Sequence, residues 1–430
     1  MNKKVLLIFI FTFLSVALVF FLRLNSFDGS LFMIYTILVT SYLVFIYAYS
    51  YSYKPIPDLG FRPTASIIIP VKNEEDAIQN TIIHALNSDY PPDKLDVIVI
   101  DDGSTDKTEE KIRELLLKNS QSNRITFIKH EINRGKREAM ASGMRVAKGD
   151  ILISIDSDSY VDKDAVKLLV QPFIDKDITA VCGHGNVSNK DKNILTQIQH
   201  AWYQEMFYIL KSMESQLDCV NCCSGILAAY RKDNVRAVLD EWLGQNFFGI
   251  PIIISDDRQL TNLSLRGIGK VSTRDAKVKY QSNAIVYTAA PDNIKQFLKQ
   301  QIRWRRGSLH GTLFASKFMW KKKFPIPLYF YPYMYLTYIT PFVIFRWLVY
   351  KPINGEWLGA IAFISGVLYV GFLHGLNIWK NNNESENIFY RTIFGFMSIF
   401  LTAIILPYSV CTLWKNGWIT RGNKIKSGMP

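Results

Sequence analysis

Ser66-Ile67-Ile68-Ile69-Pro70-Val71-Lys72-Asn73-Glu74 is an apolar run that ends abruptly in polar residues, and the same pattern returns twice downstream. Asp96–Ile100 leads into Asp101-Asp102-Gly103-Ser104, and Ile151–Ile155 leads into Asp156-Ser157-Asp158. Short apolar runs bounded by turn residues read as buried strands. Helical periodicity separates them over Glu74–Asn87, Lys107–Lys118 and Lys136–Ala147, with a further strand at Ile125–Lys129. The alternation predicts stacked βαβ units. Ligands of such sheets sit beyond the carboxyl ends of the strands, so the three polar edges predict one nucleotide crevice. The chain has no Gly-x-Gly-x-x-Gly and no Walker loop, which argues against a dinucleotide or kinase-type site.

Outside this region the chain changes character. Val5–Leu22 and Leu31–Tyr49 are uncharged apolar runs near the length needed to cross a bilayer, and apolar segments return at Phe324–Tyr350, Trp357–Trp379 and Phe389–Trp414. The first run follows Lys3-Lys4 and contains a faint small-residue site at Ser15-Val16-Ala17, but a membrane hairpin fits it better than a cleaved leader. Lys3, Lys4, Lys54 and Arg62 flank the hairpin, which predicts a cytoplasmic soluble domain in a multi-pass protein of the cell membrane. Lys415, Arg421, Lys424 and Lys426 make the tail look cytoplasmic too, which conflicts with three simple late crossings. Pro325, Pro327, Pro332 and Pro341 suggest that Phe324–Tyr350 is the segment taking an interfacial, broken or re-entrant path. The expected organisation is a membrane hairpin over 1–53, a soluble domain over 54–291, amphipathic interfacial helices over 292–323 and a membrane region with its tail over 324–430.

The net charge of +13 is largely what basic cytoplasmic loops give a membrane protein, with some left to attract anionic lipid or an anionic nucleotide. No basic tract or reader motif points to nucleic acid. Cys219-Val220-Asn221-Cys222 has zinc-knuckle spacing but no second pair, so no zinc site is expected.

Asp156-x-Asp158 brings two carboxylates to one strand end, where a divalent cation that also bridges a diphosphate relieves their repulsion. A helix-capping turn would look the same. Asp101 and Asp102 suit a uracil or ribose contact, or a plain turn. Lys136-Arg137 puts cations at a helix start, which an anion nearby would explain. Asp256-Asp257-Arg258 offers a carboxylate whose affinity for protons is raised by burial and a like-charged neighbour, as a general base needs. In Gln300-Gln301-Ile302-Arg303-Trp304, Arg303 can clamp phosphate and Trp304 can stack on a sugar, although both also suit an interfacial helix. Together these features point to transfer of a sugar from a nucleotide donor.

The ordered set Ile69-Pro70-Val71-Lys72-Asn73-Glu74, Asp101-Asp102-Gly103-Ser104, Gly135-Lys136-Arg137, Asp156-x-Asp158, Cys223-Ser224-Gly225, Asp256-Asp257-Arg258 and Gln300-x-x-Arg303-Trp304 resembles the processive, membrane-embedded family-two glycosyltransferases. Among them it is most similar to hyaluronan synthases, with chitin and cellulose synthases as further relatives. Ile226, Ser255 and Ile419 depart from the family's residues beside these motifs. The resemblance implies an α/β GT-A (Rossmann-like) domain fused to a helical transmembrane region, and a magnesium or manganese ion. It implies inverting transfer from UDP-sugars, UDP-GlcNAc and UDP-GlcA above all, onto a growing polysaccharide that leaves through the membrane segments. Asp257 would be the base, and Asp156 and Asp158 would hold the metal. Pro70, Glu74, Asp101, Asp102 and Lys136 would shape the UDP pocket, and Arg303 and Arg421 would neutralise departing UDP. Cys223, Ser224, Gly225, Gln300 and Trp304 would frame the acceptor. Two rival readings are one-step transfer to a lipid acceptor and a nucleotide-binding transporter or scaffold.

Overall fold

A computed structural model describes residues 30–247, 249–252, 254–267 and 271–415. The expected membrane run Val5–Leu22 and the tail residues Trp418 to Arg421 lie outside the described residues.

The described chain enters on helix α1 (Ser30–Ser52). Strand β1 (Ala65–Val71), α2 (Ile78–Leu86), β2 (Leu95–Asp101), α3 (Thr108–Lys118), β3 (Ile125–Lys129), α4 (Lys136–Val146) and β4 (Ile151–Ser154) follow, close to the sequence reading. Next come β5 (Ser159–Val161), α5 (Ala165–Leu169), β6 (Ile178–Val187), α6 (Ile194–Glu205), β7 (Ala228–Arg231) and α7 (Lys232–Leu243). A small hairpin of β8 (Asn246–Phe247) and β9 (Ile250–Pro251) precedes α8 (Asp256–Arg266) and β10 (Lys277–Thr288). Four long helices close the chain: α9 (Ile294–Ser316), α10 (Ile326–Phe345), α11 (Trp357–Asn382) and α12 (Glu386–Phe400). The last continues through a π-helical turn, Leu401–Ile405, into α13 (Leu406–Val410).

The sheet runs β3-β2-β1-β4-β7-β6-β10-β5. The first four strands are parallel, as the βαβ reading requires, and β7 enters antiparallel to both β4 and β6. In a flat sheet β5 would lie about 19 Å from β4, four strand spacings away. The link between them folds back at once, with the Ser159 N–H donating to the Asp156 carbonyl at 3.1 Å, so the sheet curls into a half-barrel. That curl hangs Asp156 and Asp158 on a tight edge.

Side chains alternate between two cores. Ile67, Ile69, Val97, Val99 and Ile153 pack with α2, α3 and α5. Ile68, Ile98, Ile100 and Leu152 pack with α4 and α7, and that core runs on without a break into Ile46 of α1 and Tyr329 of α10. Each fully buried aliphatic side chain contributes about 1.5–3 kcal/mol. Helices α1 and α10 are therefore built onto the sheet domain's own core.

Of the interfacial, broken or re-entrant paths expected for Phe324–Tyr350, the broken one is not taken. The segment is helical through α10 and a π-helical turn, Arg346–Tyr350, with Pro332 and Pro341 inside. Each proline removes one backbone donor, a cost the neighbouring α1 contacts offset: Tyr35 Oη meets Thr340 Oγ1 at 3.2 Å, and Tyr42 stacks on Tyr329 and Tyr333. Those pairs run α10 antiparallel along α1. By length and apolarity alone, Ile34–Ser52, Trp357–Asn382 and Glu386–Val410 qualify as membrane spans among the described residues.

The helix of α12 and α13 is tied to the soluble layer at both ends. At its start Glu384 accepts from Lys190 Nζ at 2.7 Å and meets His200 Nε2 at 2.8 Å. At its finish Arg306 of α9 donates to Thr412 Oγ1 at 2.7 Å and to the Lys415 carbonyl at 3.3 Å. Between them Arg391 pairs with Glu205 of α6 at 2.5 Å, and His374 of α11 meets the same carboxylate at 2.6 Å.

Candidate active site

The site forms where the carboxyl ends of β1, β2 and β4 meet the start of α8. Pro70 is buried inside β1, and Glu74 is half-buried at the first turn beyond it, its N–H donating to Thr108 Oγ1 at 2.8 Å. Asp101 closes its own turn by accepting from the Ser104 N–H at 2.9 Å, while its second oxygen is buried without a hydrogen bond. The Asp102 carboxylate accepts from the Arg134 N–H at 2.8 Å and the Gly135 N–H at 2.7 Å, and its Oδ1 meets His130 Nδ1 at 2.9 Å. Its oxygens thus shape the 130–135 loop that leads into α4. Gly103 completes this junction: it holds φ at +68°, and a Cβ there would lie 2.8 Å from Asn133 N.

Lys136, at the first position of α4, donates from Nζ to Asp156 Oδ1. Burial pulls the Lys136 ammonium down and the Asp156 carboxylate more than offsets it, leaving it above its ordinary value. Arg137 beside it pairs with Asp256 Oδ1 at 2.9 Å, lies over the Trp242 ring and donates to the Trp242 carbonyl. Asp156 and Asp256 thus each pair with one of these helix-start cations.

Asp256 and Asp257 divide their work. Burial raises Asp256 above the usual carboxylate range against the pull of Arg137, but its oxygen is held by that guanidinium. Asp257 is half-buried and faces the site. Its Oδ2 accepts from the Gly225 N–H at 3.2 Å, and Cys222 Sγ lies 3.7 Å from the same oxygen. The Arg258 N–H donates to Oδ1 at 2.8 Å.

Gly225 shows how close the motifs come. A Cβ on it would stand 3.6 Å from Asp156 Oδ1, 3.6 Å from Lys136 Nζ and 3.8 Å from Asp257 Cβ. The β4 edge, the start of α4 and the start of α8 thus converge on one backbone atom. Cys223 is buried, with its N–H donating to Thr261 Oγ1 at 2.9 Å, which in turn donates to the Asp257 carbonyl. Ser224 closes the turn into β7 through the Leu227 N–H.

Helix α9 brings Arg303 and Trp304 to the same space. Burial pushes the Tyr203 hydroxyl up, and the nearby charges of Arg303 and Asp156 act on it in opposite senses. Trp304 lies against Trp202 and Tyr203 at ring separations of 5.8 and 6.2 Å. Gln300 Oε1 is buried without a partner nearby on the same helix. Lys211, Cys222 and Arg258 line an adjoining cavity, and nothing local in the sequence marks Lys211.

Asp156 and Asp158 offer hard oxygen donors only, and no third His, Cys, Asp or Glu completes a metal-binding cluster among the described residues. That donor set fits magnesium or manganese, which commonly takes one or two carboxylates and fills its shell with substrate phosphates and water.

Helix α9 crosses α8 where both are stripped to small groups. A Cβ on Gly307 would fall 1.5 Å from Ser255 Oγ and 2.4 Å from Ser255 Cβ. Gly307→Ala is therefore expected to destabilise the protein by about 1–3 kcal/mol, as overpacking does, and to cut activity by shifting Arg303. Ser255 holds φ at +57°, so Ser255→Gly removes the clashing atoms and suits that backbone. The double variant is expected to regain thermal stability and UDP release; a double variant as damaged as Gly307→Ala alone would refute the contact.

Comparison with known proteins agrees with this geometry. Residues 66–239 match the family described as Glycosyl transferase family 2. The chain is 26% identical to the hyaluronan synthase of Streptococcus pyogenes, covering 97% of both chains. It is 31% identical to an N-acetylglucosaminyltransferase of Neorhizobium galegae, over 60% of this chain and 58% of that one. A mannosyltransferase from Pyrobaculum calidifontis, solved with GDP-Man and Mn2+, superposes with a TM-score of 0.58 at 19% identity, covering 85% of this chain and 98% of that one, which shows the GT-A fold. A half-barrel sheet with its acidic edges turned toward one point, matched over 66–239 by the family-two model in a chain similar along 97% of its length to a hyaluronan synthase, gives this protein a family-two glycosyltransferase domain.

Proposed function

We propose that this protein is a processive, inverting polysaccharide synthase that uses UDP-sugars, with UDP-GlcNAc and UDP-GlcA as donors and hyaluronan as product. The observation that carries the reading is the convergence of Lys136, Asp156 and Asp257 around Gly225. Asp257 accepts the proton of the acceptor hydroxyl as that oxygen attacks the anomeric carbon. The bond from that carbon to the diphosphate breaks on the opposite face, so the configuration inverts and UDP leaves. Lys136 and Arg303, joined by Arg421 from the tail, neutralise the departing diphosphate. Asp156 and Asp158 would hold a magnesium or manganese ion, which adds positive charge at the diphosphate when bound. Pro70, Glu74, Asp101 and Asp102 form and brace the uridine side, while Cys223, Ser224, Gly225, Gln300 and Trp304 form the acceptor side. The full-length likeness to hyaluronan synthases supports the choice of polymer.

The same reading sets the topology. Val5–Leu22, α1, the helix of 326–353 and α11 cross the membrane, with 54–291 and the amphipathic 292–323 segment on the cytoplasmic side. The helix from α12 through α13 lies along that face despite its length and apolarity, because both of its ends bind the soluble layer. The basic residues Lys3, Lys4, Lys54, Arg62 and Lys415 then share one side of the membrane. The crossing helices enclose the path by which polymer leaves.

Incubating the purified full chain with each UDP-sugar singly and then together tests the chemistry. The expected product is a long polymer formed only with both donors and degraded by hyaluronidase. Polymer from one donor alone would reject hyaluronan, and chloroform-soluble label would mean a lipid acceptor.

A further inference from the structure

Arg258 follows Asp257 on α8, and its side chain turns toward the membrane helices. Its aliphatic stem lies on Gly311 of α9, where a Cβ would meet Arg258 Cδ at 2.4 Å and Cγ at 2.7 Å. Its guanidinium borders a cavity of ≈ 60 Å³ that Lys211, Glu214, Asn221, Cys222 and Tyr333 also line. Among the described residues this guanidinium makes no hydrogen bond or ion pair. That is unusual for a recessed polar group.

The other charges of the cavity are already engaged. Glu214 accepts from Tyr329 Oη at 3.0 Å, from Asn221 Nδ2 at 2.8 Å and from the Asn221 N–H at 3.2 Å. Lys211 Nζ donates to the Cys222 carbonyl. Two cations therefore border the space against one carboxylate whose oxygens neutral donors hold. Arginine's planar fork matches a carboxylate with two parallel hydrogen bonds. The space has room for a carboxylate beside the two cations.

Its position gives the ligand's origin. One wall is Cys222, whose Sγ lies 3.7 Å from Asp257 Oδ2, and the other walls are Tyr42 of α1 and Tyr329 of α10. A glycan with its terminal hydroxyl at Asp257 and its body toward the membrane passes this recess. We propose that Arg258, supported by Lys211, binds a carboxylate on the acceptor glycan and makes the enzyme select an acidic chain over a neutral one. The proposal rests on the polysaccharide-synthase reading and adds to it the residue that reads the acid.

The test uses the full chain in detergent and two acceptor tetrasaccharides. One alternates N-acetylglucosamine with glucuronic acid; the other is the same molecule with its carboxylates reduced to alcohols. Transfer of labelled N-acetylglucosamine from its UDP donor is measured for each. The wild type is expected to favour the acidic acceptor in kcat/KM by about 10- to 100-fold, the range for hydrogen bonds to a charged partner. Arg258→Gln should bring the two acceptors close to parity, chiefly through KM, and Arg258→Lys should keep part of the preference. UDP affinity, measured on each variant, shows that the donor side is intact. A wild type with no preference, or an Arg258→Gln variant that keeps it, overturns the proposal. A wild type that makes polymer from both donors yet extends neither acceptor overturns this proposal alone, and one that makes no polymer overturns the polysaccharide reading and this proposal with it.

Discussion

Asp257→Asn is expected to lower turnover about a hundred- to ten-thousand-fold, the range that a positioned general base contributes. The side chain keeps its shape, and UDP affinity should change little because Lys136, Asp156 and Arg303 are untouched. The carboxamide can still accept from the Gly225 N–H, so the acceptor segment stays in place. What is lost is a group able to take the hydroxyl proton. The informative control is its neighbour. Asp256→Asn leaves the buried Arg137 guanidinium short of its counter-charge, and removing one partner of such a pair costs about 3–5 kcal/mol. One variant should therefore fail in turnover at normal melting temperature, and the other in stability first. Asp257→Asn retaining more than a tenth of activity would reassign the base.

Asp158→Asn is expected to lower activity by about a hundredfold or more, the scale of losing a metal's charge at a leaving diphosphate. UDP binding is the cleaner readout. In the wild type, EDTA should weaken UDP affinity and manganese or magnesium should restore it. In the variant, UDP should bind equally weakly with or without metal. Lys136→Met should behave differently: it weakens UDP binding while leaving the response to metal in place, because its charge acts alongside the cation. Wild-type UDP affinity and turnover that ignore EDTA would remove the metal from the account.

Strands β1, β2 and β4 were readable because they are continuous apolar runs buried on both faces, with polar residues punctuating each end. The second half of the sheet was not. Strand β6 carries Gly183, His184 and Gly185 inside it, and β7 is only a few residues long and pairs antiparallel. Neither gives a periodic signal. The acidic motifs announced themselves through spacing, yet which carboxylate faces the site depends on Arg137, more than a hundred residues away in sequence. Lys136 and Arg137 were legible as misplaced cations, but the sequence could not reveal that Asp156 and Asp256 balance them. The prolines of α10 pointed to a break that packing against α1 overrides. Arg258 was visible only as a companion to the acidic pair; its recess is formed by α1, α9 and α10 together.

The seat of the α12 helix has a practical consequence. Trp202 stacks on Phe394 at 5.0 Å, and Glu205 pairs with Arg391 and meets His374. Cutting the chain near residues 54 and 291 would strip an aromatic face bare and strand a carboxylate in the wound. The sheet domain of this enzyme does not come away from these helices intact, and whoever wishes to watch it work must carry them along.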